Sequence, residues 1–206
     1  MIILRIYDLL YGTRCQNNGL VILICEIFRN VYALVCNLLT TVVIFDYYVN
    51  CNIKHILPIT NVLMLNLIID SFFIQDNLIY LHHFIGIGAI QIYKSYEFSI
   101  VDFHEPAITI IAMEISSVFL CIRYLMEYFH YHNRFIENIN NALFVMSFVM
   151  TRIFNFYHYF FYTNTFYDLL HSYEIYDTRV IDAFLYSLFA LNMYWAWLIM
   201  CAILKT

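Results

Sequence analysis

ILPITNVLMLNLIIDSFFI (56–74) and NLIYLHHFIGIGAIQIYK (77–94), separated only by Gln75 and Asp76, decide the fold. Each is a continuous apolar run of about 18 residues or more, the length an α-helix needs to cross the hydrocarbon of a bilayer. Neither alternates in ten-residue pieces as a barrel strand would. Pro58 sits in the first turn of the first run, where its missing N–H is tolerated. A turn over Gln75-Asp76-Asn77 leaves no room for anything but two antiparallel neighbouring helices.

Four further runs flank this hairpin. They are 30–46, with a backward extension through GLVILICEIF, then 106–126 opened by Pro106, 139–162 and 180–204. The intervening segments 47–55, 95–105, 127–138 and 163–179 carry most of the charges. With 63% hydrophobic and 12% charged residues, the chain cannot cover a soluble surface, and lipid needs no such cover. The expected fold is all-α: an integral membrane bundle of about six transmembrane helices, spanning a domain at 25–206. The start, MIILRIYDLLYGTRC, carries Arg5 and Asp8 within its apolar stretch, which makes a poor signal peptide. Residues 1–24 are therefore expected to form an interfacial helix or a shortened segment.

A formal net charge of −5 without a basic cluster argues against nucleic acid as a partner. The six cysteines form no CxxC pair, and most fall inside apolar runs, where they serve as small filler rather than as a disulfide or metal framework. Six spans put both termini on one side, with Arg5, Arg14, Arg29, Arg134 and Lys205. The other side holds Lys54, Lys94 and Arg179 beside several carboxylates, so the positive-inside rule predicts cytosolic termini.

Ionisable groups in hydrocarbon cost about 2.5–3.5 kcal/mol each or more, so each needs a reason. Two layers emerge when the runs are threaded up and down. Asp70 precedes the tight turn and His82 and His83 follow it, at similar depth on adjacent helices. Adjacent histidines point about 100° apart, so one can face a central cavity and the other a neighbouring helix. Gly86 and Gly88 follow and permit close approach of a helix or ligand. Glu114, Arg152 and Asn192 form a mid-membrane layer that Asn37 can join, and Glu114 is expected to pair with Arg152. Ser116, Ser117 and Asn155 read as helix–helix hydrogen-bonding residues, and Trp195 and Trp197 as packing or lipid-facing contacts. No HExxH, histidine-rich metal spacing, GxSxG elbow or glycine-rich phosphate loop occurs, so neither a metal nor a bound cofactor is expected.

Five stretches follow one another in order: IIDSFF (68–73), DNLIYLHHFIGIGAIQIY (76–93), MEISSVFLCIRYLM (113–126), FVMTRIF (148–154) and LNMYW (191–195). In that order they resemble the TLC-domain family, which includes ceramide synthases, the translocating-chain-associating membrane protein and TLC-domain-only proteins. DNLIYLHHFIGIGAIQIY (76–93) is similar to its paired-His span, and IIDSFF (68–73) to the acid-bearing span before it. MEISSVFLCIRYLM (113–126) resembles the Glu-x-Ser-(Ser/Thr)-Pro-x₅-Arg stretch of the TLC-domain-only branch through Glu114, Ser116, Ser117 and Arg123, with Val118 in place of Pro. FVMTRIF (148–154) and LNMYW (191–195) resemble that branch's Phe-x₃-Arg and Asn-x₂-Trp motifs. The resemblance covers roughly residues 25–204. It implies a six-helix bundle around a cavity for lipid chains, usually in the endoplasmic reticulum.

Three functions are in view. The first is a membrane protein that binds or handles lipid, for homeostasis, sensing or transport, with Glu114, Arg152, Asn192 and Ser117 gripping the head group. The second is an acyl-CoA-dependent N-acyltransferase of the ceramide synthase type, with acyl-CoA as co-substrate. There the resemblance gives His82 and His83 the acyl-transfer role, and Asp70 would orient a histidine base or tune its pKa. Glu114 stands without the paired Asp of the synthases, which favours lipid handling. The third is a structural subunit of a larger membrane assembly.

Overall fold

A computed structural model describes residues 20–72, 77–95, 104–172 and 178–204. The expected segment 1–24 falls outside them up to position 19, and so does most of the turn at Gln75-Asp76-Asn77. Every described element is helical, so the all-α expectation holds. α1 spans Leu20–Asn50, α2 Ile56–Ser71 and α3 Asn77–Ser95. α4 runs as His104–Ile111, a 3₁₀ turn Ala112–Glu114, and Ile115–Tyr128. α5 starts as Arg134–Phe148 and continues π-helically over Val149–Asn155 and His158–Tyr162. α6 is Thr165–Ser172 and α7 is Arg179–Leu204.

Local chemistry sets these bounds. The backward extension of the first apolar run is helical, so α1 has 31 residues, about 46 Å at 1.5 Å per residue. Asn133 caps α5: its Oδ1 accepts from the backbone N–H of Phe135 at 3.1 Å and of Ile136 at 3.3 Å. That cap starts the helix at Arg134, earlier than hydropathy alone marks it. The connection 163–179 also holds more structure than expected, because Phe166 and Leu170 of α6 bury themselves against the aromatic cluster around Phe160. Tyr167 ties α6 to α7 by donating to Asp182 Oδ1 at 2.7 Å. Burial, and then that carboxylate, push the Tyr167 phenol above its ordinary value, which keeps the donor proton in place.

Among the described residues, three helical stretches are long and apolar enough to cross a membrane: Glu26–Asn50, His104–Tyr128 and Arg179–Leu204. α2 is apolar but has 16 residues, about 24 Å against a hydrocarbon core of about 30 Å. These three helices fit an integral membrane protein, and the outward residues agree, with Val42, Phe45, Phe154, Trp197 and Met200 all exposed.

The long helices close into a ring. α1 packs on α2 and α4, α2 on α3, α3 on α7, α7 on the π-helical part of α5, and α5 on α4. One half of the ring is filled. Ile44, Ile56, Ile59, Leu63, Ile90 and Ile108 form one cluster there, and Ile85, Met113, Phe156, Phe160, Leu185 and Leu188 form another. The other half, on the side of the α2–α3 connection, packs Phe144, Phe148, Ile199 and Ala202 along one wall and holds a cavity beside them.

The two glycines of α3 admit close neighbours. A Cβ on Gly86 would stand 3.0 Å from Leu67 Cδ1, and one on Gly88 would stand 2.6 Å from Phe184 Cε1. Gly86 thus admits α2 and Gly88 admits α7. Gly88→Ala is expected to cost about 1–3 kcal/mol by overpacking, and Gly88→Leu more, read as successive falls in melting temperature in detergent. A Gly88→Leu protein that melts like wild type would show that α3 and α7 do not meet there.

Candidate functional site

In the half nearer the α2–α3 connection, all six long helices line a cavity of about 160 Å³. Arg29, Asn30 and Asn37 face it from α1, Asn66 and Asp70 from α2, and His82 and His83 from α3. Glu114, Ser116 and Ser117 come from α4, Phe148 and Arg152 from α5, and Trp195 from α7. The two predicted layers therefore meet in one space.

On one wall, Asp70 bridges two partners. Arg29 Nε lies 3.3 Å from Oδ1, and His83 Nε2 lies 3.5 Å from Oδ2. The Ser71 hydroxyl is 3.4 Å from His83 Nδ1 and also donates to the Leu67 carbonyl at 2.7 Å. The acid and the imidazole share depth because α2 and α3 are antiparallel on either side of a tight connection. Both histidines are buried and both line the cavity, which differs from the expected division of one inward and one toward a neighbour. His82 packs edge-on to Trp195, ring centroids 4.9 Å apart, and its Nδ1 has no hydrogen-bond partner among the described residues.

Arg152 dominates the opposite wall. Its Nε donates to the Met113 carbonyl at 3.1 Å and to Ser116 Oγ at 2.9 Å, and its Nη2 donates to Ser117 Oγ at 3.0 Å. The 3₁₀ turn Ala112–Glu114 and the start of the following helix present these acceptors to α5. The guanidinium also lies 5.5 Å from the Phe148 ring centre and 5.9 Å from that of Trp195. The expected partner Glu114 is present, but its Oε2 is 4.0 Å from Nη2. Arg152 is gripped mainly by neutral acceptors, and Glu114 balances its charge across a gap. π-helices recur at functional sites, and this one brackets Arg152.

Asn192 stands apart from the other expected site residues. It is fully buried but lies outside the cavity lining, with Nδ2 donating to Met113 Sδ at 3.4 Å and Oδ1 lacking a partner among the described residues. Its place on α7 faces the packed layer around Met113, while Trp195, one turn later, reaches the cavity. Arg123 is likewise structural in position: it is buried and pairs with Glu137 of α5 at 3.2 Å.

Sequence reasoning assigned Arg29 to the membrane edge and missed its pairing with Asp70. The available signal was the apolar stretch before it, which extends α1 and draws Arg29 into the helix. Trp195, expected as packing or a lipid-facing contact, touches both His82 and Arg152. Among the described residues no group of three or more His, Cys, Asp or Glu is placed to hold a metal ion.

The chain matches no family model, no curated protein and no solved structure.

Arg152→Leu leaves Glu114 unbalanced in an apolar bundle, and breaking a buried pair costs about 3–5 kcal/mol. Expression and melting temperature should fall sharply, and adding Glu114→Gln should restore part of the loss. Full tolerance of Arg152→Leu alone would rule out a charge-balancing role for Glu114.

Proposed function

We propose that this chain binds a membrane amphiphile, with the polar end of that molecule in the cavity and its hydrocarbon outside. On this reading all six long helices cross the bilayer, α2 by virtue of its packed neighbours. Both termini face the cytosol, as the arginine distribution favours, and the endoplasmic reticulum is the favoured membrane. The observation that carries the reading is a largely apolar cavity into which two arginines, two carboxylates and two histidines converge, inside an apolar ring. Such groups are costly in hydrocarbon, and they converge on one space instead of pairing off along separate helix contacts.

Size refines the reading. A cavity of about 160 Å³ resembles the engineered apolar cavity of about 150 Å³ that admits benzene. It suits a head group and its first carbons, not the sleeve for whole acyl chains that the TLC-domain resemblance implied. Among the described residues, the packed clusters around Ile108 and Phe160 fill the half of the ring beyond the cavity. Binding from one side fits sensing or presentation of lipid better than passage across the membrane.

Ala33 lines the cavity and offers a clean test. Protein purified in mild detergent should carry a reproducible lipid class by native mass spectrometry, and Ala33→Phe, which fills the space, should lose it while keeping its fold. The same bulk lipid on both proteins would count decisively against the reading.

The Asp70–His83 contact supports a second reading, acyl transfer from acyl-CoA to an amine. Asp70 would hold the His83 ring and stabilise its protonated form. As the amine nitrogen attacks the thioester carbon, His83 would take the amine proton, the C–S bond would break, and the departing CoA thiolate would receive that proton. Incubation with labelled acyl-CoA and sphinganine should then give an amide that His83→Ala abolishes. Equal product from the variant, or none from wild type, removes this reading.

A further inference from the structure

Resting on the lipid-binding reading above, we propose that the polar end held in the cavity is an uncharged hydroxyl, so that the protein selects an alcohol-type amphiphile over acids, phosphates and amines.

Charge balance is the first reason. Among the described residues, the charged side chains lining the cavity are Arg29 and Arg152 against Asp70 and Glu114. The two cations and two anions are already matched, Arg29 with Asp70 at 3.3 Å and Arg152 with Glu114 at 4.0 Å. A carboxylate or phosphate would enter this low-dielectric space as an uncompensated negative charge, and an ammonium as an uncompensated positive one. A hydroxyl brings no charge.

Hydrogen bonding is the second reason. Among the described residues the Glu114 carboxylate accepts no hydrogen bond, and its single ionic contact is beyond hydrogen-bond length. A hydroxyl oxygen seated between Arg152 Nη2 and Glu114 Oε2 can accept from the first and donate to the second across that 4.0 Å gap. Other unpartnered atoms on lining residues are equally mixed: Asn37 Oδ1 accepts, Trp195 Nε1 donates, and His82 Nδ1 does either according to tautomer. An anionic head would answer only the donors and an ammonium only the acceptors. The volume agrees, since about 160 Å³ holds a hydroxyl and several carbons but crowds a phosphodiester head.

The test uses three photoreactive C16 probes with a diazirine close to the head, as alcohol, carboxylic acid and amine. They are offered to the full chain in nanodiscs of zwitterionic phospholipid, and crosslinks are mapped by mass spectrometry. The alcohol should label peptides of α4, α5 and α7 that line the cavity at least tenfold more than the acid or the amine. Glu114→Gln gives the cavity a net positive charge and should shift the preference toward the acid. Competition by unlabelled hexadecanol or by a sterol identifies the kind of alcohol, and either supports the proposal. Preference of wild type for the acid or the amine overturns the hydroxyl assignment and leaves lipid binding standing. Absence of cavity labelling by all three probes overturns both. The wild-type ranking decides the matter even if Glu114→Gln fails to fold.

Discussion

A guanidinium held inside an apolar ring is the constraint on which the rest depends. Arg152 is buried, and it is stable there because Met113, Ser116 and Ser117 supply acceptors while Glu114 supplies the opposite charge. Those acceptors exist in the right place because α4 tightens into a 3₁₀ turn at Ala112–Glu114 and because α5 loosens into a π-helix around Arg152. Two irregular helices facing one another are thus tied by one side chain. The Arg29–Asp70–His83 contact does the same across α1, α2 and α3. Between the two ties lies the cavity.

The ring also explains why the cavity occupies only one half. Towards the other end, Phe156, Phe160, Ile108 and Leu188 leave almost no exposed surface, and aromatic contacts such as Phe156–Phe160 at 4.7 Å fill the centre. Close packing of that half fixes the helix positions that the polar half needs. Gly86 and Gly88 belong to this division, because α3 must lie close to both α2 and α7 for His82 and His83 to face the same space.

Much of this was legible in the chain. Long apolar runs gave the helices, and the brief connection between 74 and 77 gave the antiparallel α2–α3 pair. Depth counting placed Asp70 beside the histidines, and Glu114 opposite Arg152. What was not legible depended on rotation about helix axes, which hydropathy does not record. Asn192 and Trp195 lie one turn apart, yet one faces Met113 and the other the cavity. The π-helical stretch changes the angular spacing after Phe148, so ideal α-periodicity misplaces the residues beyond it. The Arg29–Asp70 pair is not legible because a charge near a helix start reads as an edge residue until the length of α1 is known. The number of helices that cross the bilayer also stays outside hydropathy's reach for α2, whose 16 residues are short for a span.

Capture of one amphiphile head beside Trp195 is the central claim, and fluorescence tests it directly. The chain has two tryptophans, so Trp197→Phe leaves Trp195 as the sole emitter. Titration with a single-chain amphiphile brominated next to its head should quench that emission and saturate at one molecule per chain, while bromination at the tail end should quench little. Equal quenching by both probes without saturation would mean that Trp195 meets only bulk lipid, and the account would be wrong.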